Sequence, residues 1–197
     1  MAKATADAHA ALHDHPWVSR LTLPGLTVQT YRRILSAYHI IYSEVEARRV
    51  AADVYAALSL GTAVSALAAD ISALGKGRAR CECPVISDAM GPVEILGALY
   101  VLHGSGFGAR VLNASVARNL PTAPRAYLAV GTSPDLWRQL KGALQVFAGD
   151  TEKLEKLIES ANATFHRVGQ LVTDLCEGAV VAPTADTNLC PPRQYLH

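Results

Sequence analysis

Two stretches of this 197-residue sequence hold residues whose types and spacing could do chemistry. The first runs from Thr5 to Pro16 and carries His9, His13 and His15. A neutral imidazole is the commonest metal ligand among side chains. His9 and His13, four apart, share a face if the segment is helical, a spacing that also chelates a free metal ion. The second stretch is Gly104-Ser105-Gly106-Phe107-Gly108, three glycines in five residues inside an otherwise apolar helical pattern. Each glycine costs roughly 0.8–1 kcal/mol in a helix interior relative to Ala. In return the backbone has no Cβ to hold off a flat ligand, and the helix can kink across a ring face. An imidazole on one side and a bare backbone on the other suits a metalloporphyrin. The plainer alternatives are a solvated histidine face and close helix–helix packing at the glycines.

Such chemistry needs elements to hold it, and the apolar periodicity supplies helices. Residues 2–14 read as a short helix ended by His15-Pro16. The longest pattern runs from Thr27, a plausible N-cap, to about Leu60. Tyr31, Ile34, Leu35, Tyr38, Ile41, Tyr42 and Val45 recur along it at helical spacing. The tyrosines of that stripe are expected in the core, and Glu44, Glu46, Arg48 and Arg49 on its solvated side. Glu44 and Glu46, two apart, fall on different faces, which argues against a carboxylate-bridged di-iron pair. Gly61 punctuates, residues 63–74 form a further helix closed by Gly75, and residues 76–83 form a polar loop. A second long pattern spans about residues 92–118 and contains the glycine run. Residues 119–133 read as a loop, Ser133-Pro134 starts a helix through about Val146, and Asp150 caps a last helix ended by Gly178. No strand pattern is present. The expectation is a single all-α domain over residues 1–178, a compact bundle, with an irregular proline-containing tail at 179–197.

Composition narrows the class. Hydrophobic residues make up 50% and charged residues 18%, with a net charge of +1 and no basic block, so nucleic acid is not an expected partner. The N-terminal residues lack the apolar core of a signal peptide, and polar residues break the apolar stretches before they reach the length of a membrane span. A cytoplasmic protein with no membrane contact is expected. Cys81 and Cys83 with the isolated Cys176 and Cys190 do not match the paired spacing of a zinc site and read as free thiols.

The residues also carry a resemblance. Thr5 to Pro16 resembles the opening signature of bacterial heme oxygenases, the biliverdin-producing type found with bacteriophytochromes. Asp70-Ile71-Ser72-Ala73-Leu74-Gly75 resembles that family's Asp-Leu-x-x-Leu-Gly helix end. Tyr100-Val101-Leu102-His103-Gly104-Ser105-Gly106-Phe107-Gly108-Ala109 looks like its distal helix, Tyr-Val-Leu-Glu-Gly-Ser-x-Leu-Gly-Gly. Trp137 with Leu140, and residues 161–165, resemble two later signatures, so the likeness runs in order to about Leu171.

The resemblance implies a haem sandwiched between a proximal helix and a kinked distal helix, acting as both cofactor and substrate. His9 would be the axial iron ligand. Gly104, Ser105 and Gly108 would form the catalytic distal wall, with Gly104 and Gly108 bending bound O2 toward a meso carbon and Ser105 helping to hold water. Ala109 and Phe165 would line the ring, and Arg138 and Lys141 would pair its propionates. Electrons would come from an external ferredoxin or reductase, since no flavin or nucleotide fingerprint is present. The products would be biliverdin, CO and iron, with a phytochrome as an acceptor of the biliverdin. The sequence departs from the pattern at Ala109 (for the second Gly of the pair), at His103 (for a glutamate) and at Ala2 and Ala6, where basic residues are common and only Lys3 is near. Those departures motivate the alternative, a haem- or tetrapyrrole-binding sensor of the same fold without turnover. His103 is expected to point away from the ring, and His13 and His15 to be solvated.

Overall fold

The structure, a computed structural model, describes residues 1–75 and 90–178. The loop containing Cys81 and Cys83, the tail at 179–197 and Cys190 lie outside the described residues. All regular structure among the described residues is helical, and the α-helices follow in order. They are α1 (Ala6–His13), α2 (Val28–Ala51), α3 (Gly61–Ala73), α4 (Pro92–Gly104), α5 (Ala109–Asn119), α6 (Ala126–Val130), α7 (Pro134–Gln145) and α8 (Thr151–Glu177).

The caps behave as their residue types dictate. Thr27 Oγ1 accepts the Thr30 N–H at 3.1 Å to start α2, Ser133 accepts that of Leu136 ahead of Pro134, and Asp150 accepts that of Lys153. Gly178, at φ 80°, ends α8 in the left-handed conformation that suits glycine.

The core forms around α4, whose Ile95, Leu96, Ala98 and Leu99 have no exposed surface. It packs on α8 and α2, and α2 packs on α3 and α8 in turn. Gly97 allows the approach to α8, because a Cβ there would lie 2.5 Å from the Leu157 carbonyl oxygen. Burying each large apolar side chain in this layer is worth about 1.5–3 kcal/mol, enough to override weak local propensities.

Four departures from the sequence expectation have physical causes. The long pattern from Thr27 ends at Ala51, not near Leu60, because Asp53 and Tyr55 take left-handed backbone at φ 51° and 50° and turn the chain back. The charged cluster there is not a solvated face. Glu46 accepts hydrogen bonds from Arg49, Ser59 Oγ and the Leu60 N–H, and so ties the end of α2 to the start of α3. Burial pushes the Glu46 carboxyl up, but those hydrogen bonds outweigh it and hold it at about 2. The expected loop at 119–133 contains the short helix α6. Finally, the pattern at 92–118 divides into α4, a tight turn at Ser105–Phe107 and α5, with a bend of 52°. On composition alone the 18-residue window Ala56–Ala73 is apolar enough to cross a membrane, contrary to the sequence expectation. In the fold it consists of a turn and α3, which packs on α2 and α6 and buries Asp70.

Candidate functional site

The bend separates the three glycines by role. Gly106 is there for packing: a Cβ on it would run into Thr132 Oγ1 and lie 2.8 Å from the Gly131 carbonyl carbon. Gly104 and Gly108 are different. A Cβ on Gly104 would meet only Trp137 Cη2 at 4.0 Å, and one on Gly108 only the Ser105 carbonyl oxygen at 3.6 Å, both ordinary contacts. Packing therefore requires one glycine of the run, while a Cβ at either of the other two would fit at ordinary contact distance. Phe107 and Val111 are 54% and 67% exposed, so the side of the bend that bears them is apolar and uncovered. Trp137 of α7 sits at its edge, its ring centroid 4.9 Å from that of Phe107 and 5.7 Å from that of Tyr100.

His9 lies on α1, which buries none of its residues. Its exposed ring meets Phe165 of α8 edge-on, with centroids 5.7 Å apart. Phe165 belongs to a small apolar cluster with Val101 and Ala161, against which Ala8, Leu12 and Tyr100 pack. That cluster links the helix carrying His9 to the last turns of α4, four residues before Gly104. His9 and Phe165 thus stand together where α1 meets α8, and the Tyr100–Val101 end of the cluster leads along α4 toward the bend.

Behind the bend lies a set of hydroxyls that the sequence reading treated only as core. The Tyr42 hydroxyl donates to the Leu102 carbonyl at 2.7 Å and lies 2.8 Å from Ser105 Oγ, while Tyr127 donates to Tyr42 at 3.0 Å. Ser105 Oγ is also 2.8 Å from the Leu102 oxygen. Three hydroxyls carry three protons, so these contacts support two arrangements. Either Tyr42 donates to Leu102 and accepts from Ser105, or Tyr42 donates to Ser105, whose own proton is then free for Leu102 or for a group beyond it. Burial raises Tyr38, Tyr42 and Tyr127 above the ordinary tyrosine range, so each remains a proton donor. A cavity of about 30 Å³ lies beside them, lined by Tyr38, Ser105, Ala109 and Tyr127 among others, with room for a water molecule. The available signal was a tyrosine, not a phenylalanine, at two helically spaced core positions, since a buried phenol must find a partner.

The remaining sequence candidates fall as follows. Ala109 is buried on the cavity side, beside Ser105. Arg138 is exposed and held by Asp135 at 2.8 Å, with Lys141 exposed on the next turn of α7. His103 is buried; its Nε2 donates to the Leu58 carbonyl at 3.0 Å, and burial lowers its pKa despite that bond. His13 is solvated beside Asp14. His15 corrects the expectation for it. Its Nδ1 accepts the Trp17 N–H at 3.3 Å, which leaves Nε2 to donate to Thr173 Oγ1 at 2.9 Å and pins the end of α1 to α8. Burial lowers its pKa as well, against the charge of Glu177. No group of three or more His, Cys, Asp or Glu able to hold a metal ion occurs among the described residues. Cys176 is a buried free thiol, pushed up to about 11 by burial.

The order of helices, the bend at a glycine run and the short leading helix define the heme oxygenase fold. The chain superimposes on heme oxygenase-1 from the cyanobacterium Synechocystis, solved in complex with heme, with a TM-score of 0.70 at 14% identity over 90% of each chain. It superimposes on the heme oxygenase of Leptospira interrogans with a TM-score of 0.67 at 16% identity, covering 88% of this chain and 96% of that one. No family model matches the sequence, and no curated protein matches it.

Proposed function

We propose that this protein binds haem and cleaves it oxidatively to biliverdin, CO and iron, with O2 as oxidant and electrons from an external ferredoxin or reductase. The observation that carries this reading is the division of the glycine run. Packing does not demand two of its glycines, and an exposed histidine stands on the short leading helix of a chain with the heme oxygenase fold. The residues present fit the group. A neutral imidazole is a haem ligand, the uncovered apolar side chains suit a porphyrin face, and cations stand on α7 for its carboxylates.

When bound, haem supplies both the iron that activates O2 and the ring that is opened. The chain's own residues do the rest. His9 would hold the iron through a ring nitrogen, and Phe165 meets the imidazole edge-on. Gly104 and Gly108 let the distal backbone approach the ring. Ser105, while accepting from Tyr42, would have its own O–H free of the Leu102 carbonyl for a water in the cavity behind the bend, with Tyr127 donating to Tyr42. Arg138, now paired with Asp135, and Lys141 would be the cations available to the carboxylates of a bound haem. The same reading takes the cytoplasm as the setting and a phytochrome as an acceptor of biliverdin, the latter supported by the sequence resemblance alone.

Titration of the purified protein with hemin, followed by ascorbate or a reductase under air, tests the reading. A Soret band that saturates at one haem per chain, changes in His9→Ala and decays into a broad red biliverdin band is expected. A second reading, haem binding without turnover, draws support from the engagement of Arg138 with Asp135 and from the methyl of Ala109 beside Ser105. It predicts a Soret band that persists through reduction and oxygenation. No saturable binding would overturn both.

A further inference from the structure

Asp70 belongs to a motif that the haem reading leaves without a task. It is 1% exposed, on α3, far from His9 in sequence and on no wall of the candidate site. Its two carboxylate oxygens each accept one backbone N–H at 2.9 Å, Oδ1 from Ala126 and Oδ2 from Tyr127. These are the first two residues of α6, a helix of five residues whose own N-cap, Arg125, provides no side-chain cap. A helix so short does not stand alone in water, so its position is set by what holds its ends. At the leading end the holders are Asp70, Tyr31, which donates to the Pro124 carbonyl at 3.1 Å, and Arg125 itself, which donates to Asn113 at 3.1 Å. At the trailing end, Gly131 and Thr132 lie against Gly106, and Thr132 Oγ1 donates to the His103 carbonyl. Between those ends Tyr127 projects its hydroxyl onto that of Tyr42.

We infer that Asp70 is a positioning residue for the distal wall: by capping α6 from α3 it places the Tyr127 hydroxyl on Tyr42, and through Tyr42 orients Ser105 at the helix break. A carboxylate suits the task because both N–H groups need an acceptor. An amide would satisfy one and set its own NH2 donors against the other. The geometric part of the inference stands on the protein alone, and its consequence for a ligand rests on the haem reading.

The test follows the Tyr42 ζ-carbon resonance in protein labelled at that position of tyrosine, assigned with Tyr42→Phe. Asp70→Asn is expected to shift it in the same direction as Tyr127→Phe, and the double variant to shift it no further than Tyr127→Phe does, while the Tyr100 resonance stays in place. A residue that merely stabilises the fold would lower the melting temperature and leave the Tyr42 resonance at its wild-type position, or would add its effect to that of Tyr127→Phe. Either result overturns the inference. If Asp70→Asn does not fold, Asp70→Ser, which keeps one acceptor without a buried amide, is read by the same criteria. Hemin added to the same samples separates the two readings. Matching Soret shifts in Asp70→Asn and Tyr127→Phe extend the inference to the ligand. Absence of any Soret band in the wild type refutes haem binding and leaves the resonance criteria to decide on Asp70.

Discussion

The two walls of the candidate cleft are built in opposite ways. The α1 wall is one short helix with no buried residue, held to α8 by Leu12, by the edge contact of His9 with Phe165 and by His15 on Thr173. The bend is held from several helices at once. Gly106 is wedged against Gly131 and Thr132, His103 reaches Leu58 across the core, and Tyr42 grips the Leu102 carbonyl. Local stability follows buried contacts, so the first wall belongs to the easily opened part of the molecule and the second is the more persistent of the two. A large flat ligand needs one wall that yields and one that keeps its shape. The comparison teaches that ordering on binding should be concentrated in α1.

The sharpest way to break this contrast is at Gly106. Gly106→Val should destabilise the fold by about 3 kcal/mol, the upper end of overpacking costs, read as a loss in melting temperature. Gly108→Ala, two residues on, should stay within about 1 kcal/mol of wild type in the same measurement, because its Cβ finds ordinary space. Tyr42→Phe should cost about 1–3 kcal/mol, since it leaves buried partners short of a hydrogen bond. Acid should act on the α1 wall through His15. The pKa of His15 in the folded chain is lowered from its ordinary value, so the unfolded chain takes up the proton more readily. The His15 contribution is therefore complete above about pH 6.5 and is lost as pH falls through and below that value. Protonated Nδ1 cannot accept the Trp17 N–H, so amide protection factors in α1 should fall as pH drops below that value. The smallest effect on stability is expected at His9. As an exposed residue, His9→Ala should change unfolding free energy by no more than about 0.5 kcal/mol while altering the hemin spectrum. A large loss of stability there would mean that α1 is structural after all.

What the sequence made legible, and what it did not, divides by range. The caps at Thr27, Ser133 and Asp150 and the stop at Gly178 act within a few residues, so their residue types were sufficient. The break at Gly104–Gly108 was also legible as a weak point, because three glycines depress propensity wherever they fall. Which glycine packs and which lies open was not, since Gly106 meets a segment some 25 residues later in the chain. Nor was α6, whose cap comes from Asp70, 56 residues earlier. The hydroxyl set was hidden for the same reason. Tyr42 reads as one more apolar position until the fold brings Ser105 and Tyr127 to it.

The alternation along the bend has a consequence for how such a chain can diverge. Position 106 answers to architecture, while on the haem reading 104 and 108 answer to the ligand. Side chains introduced at 104 and 108 would close the cleft and leave the kinked backbone as it is. Shape and cargo are therefore under separate selection within one five-residue stretch, and a lineage can abandon its ligand and still inherit the bent helix intact.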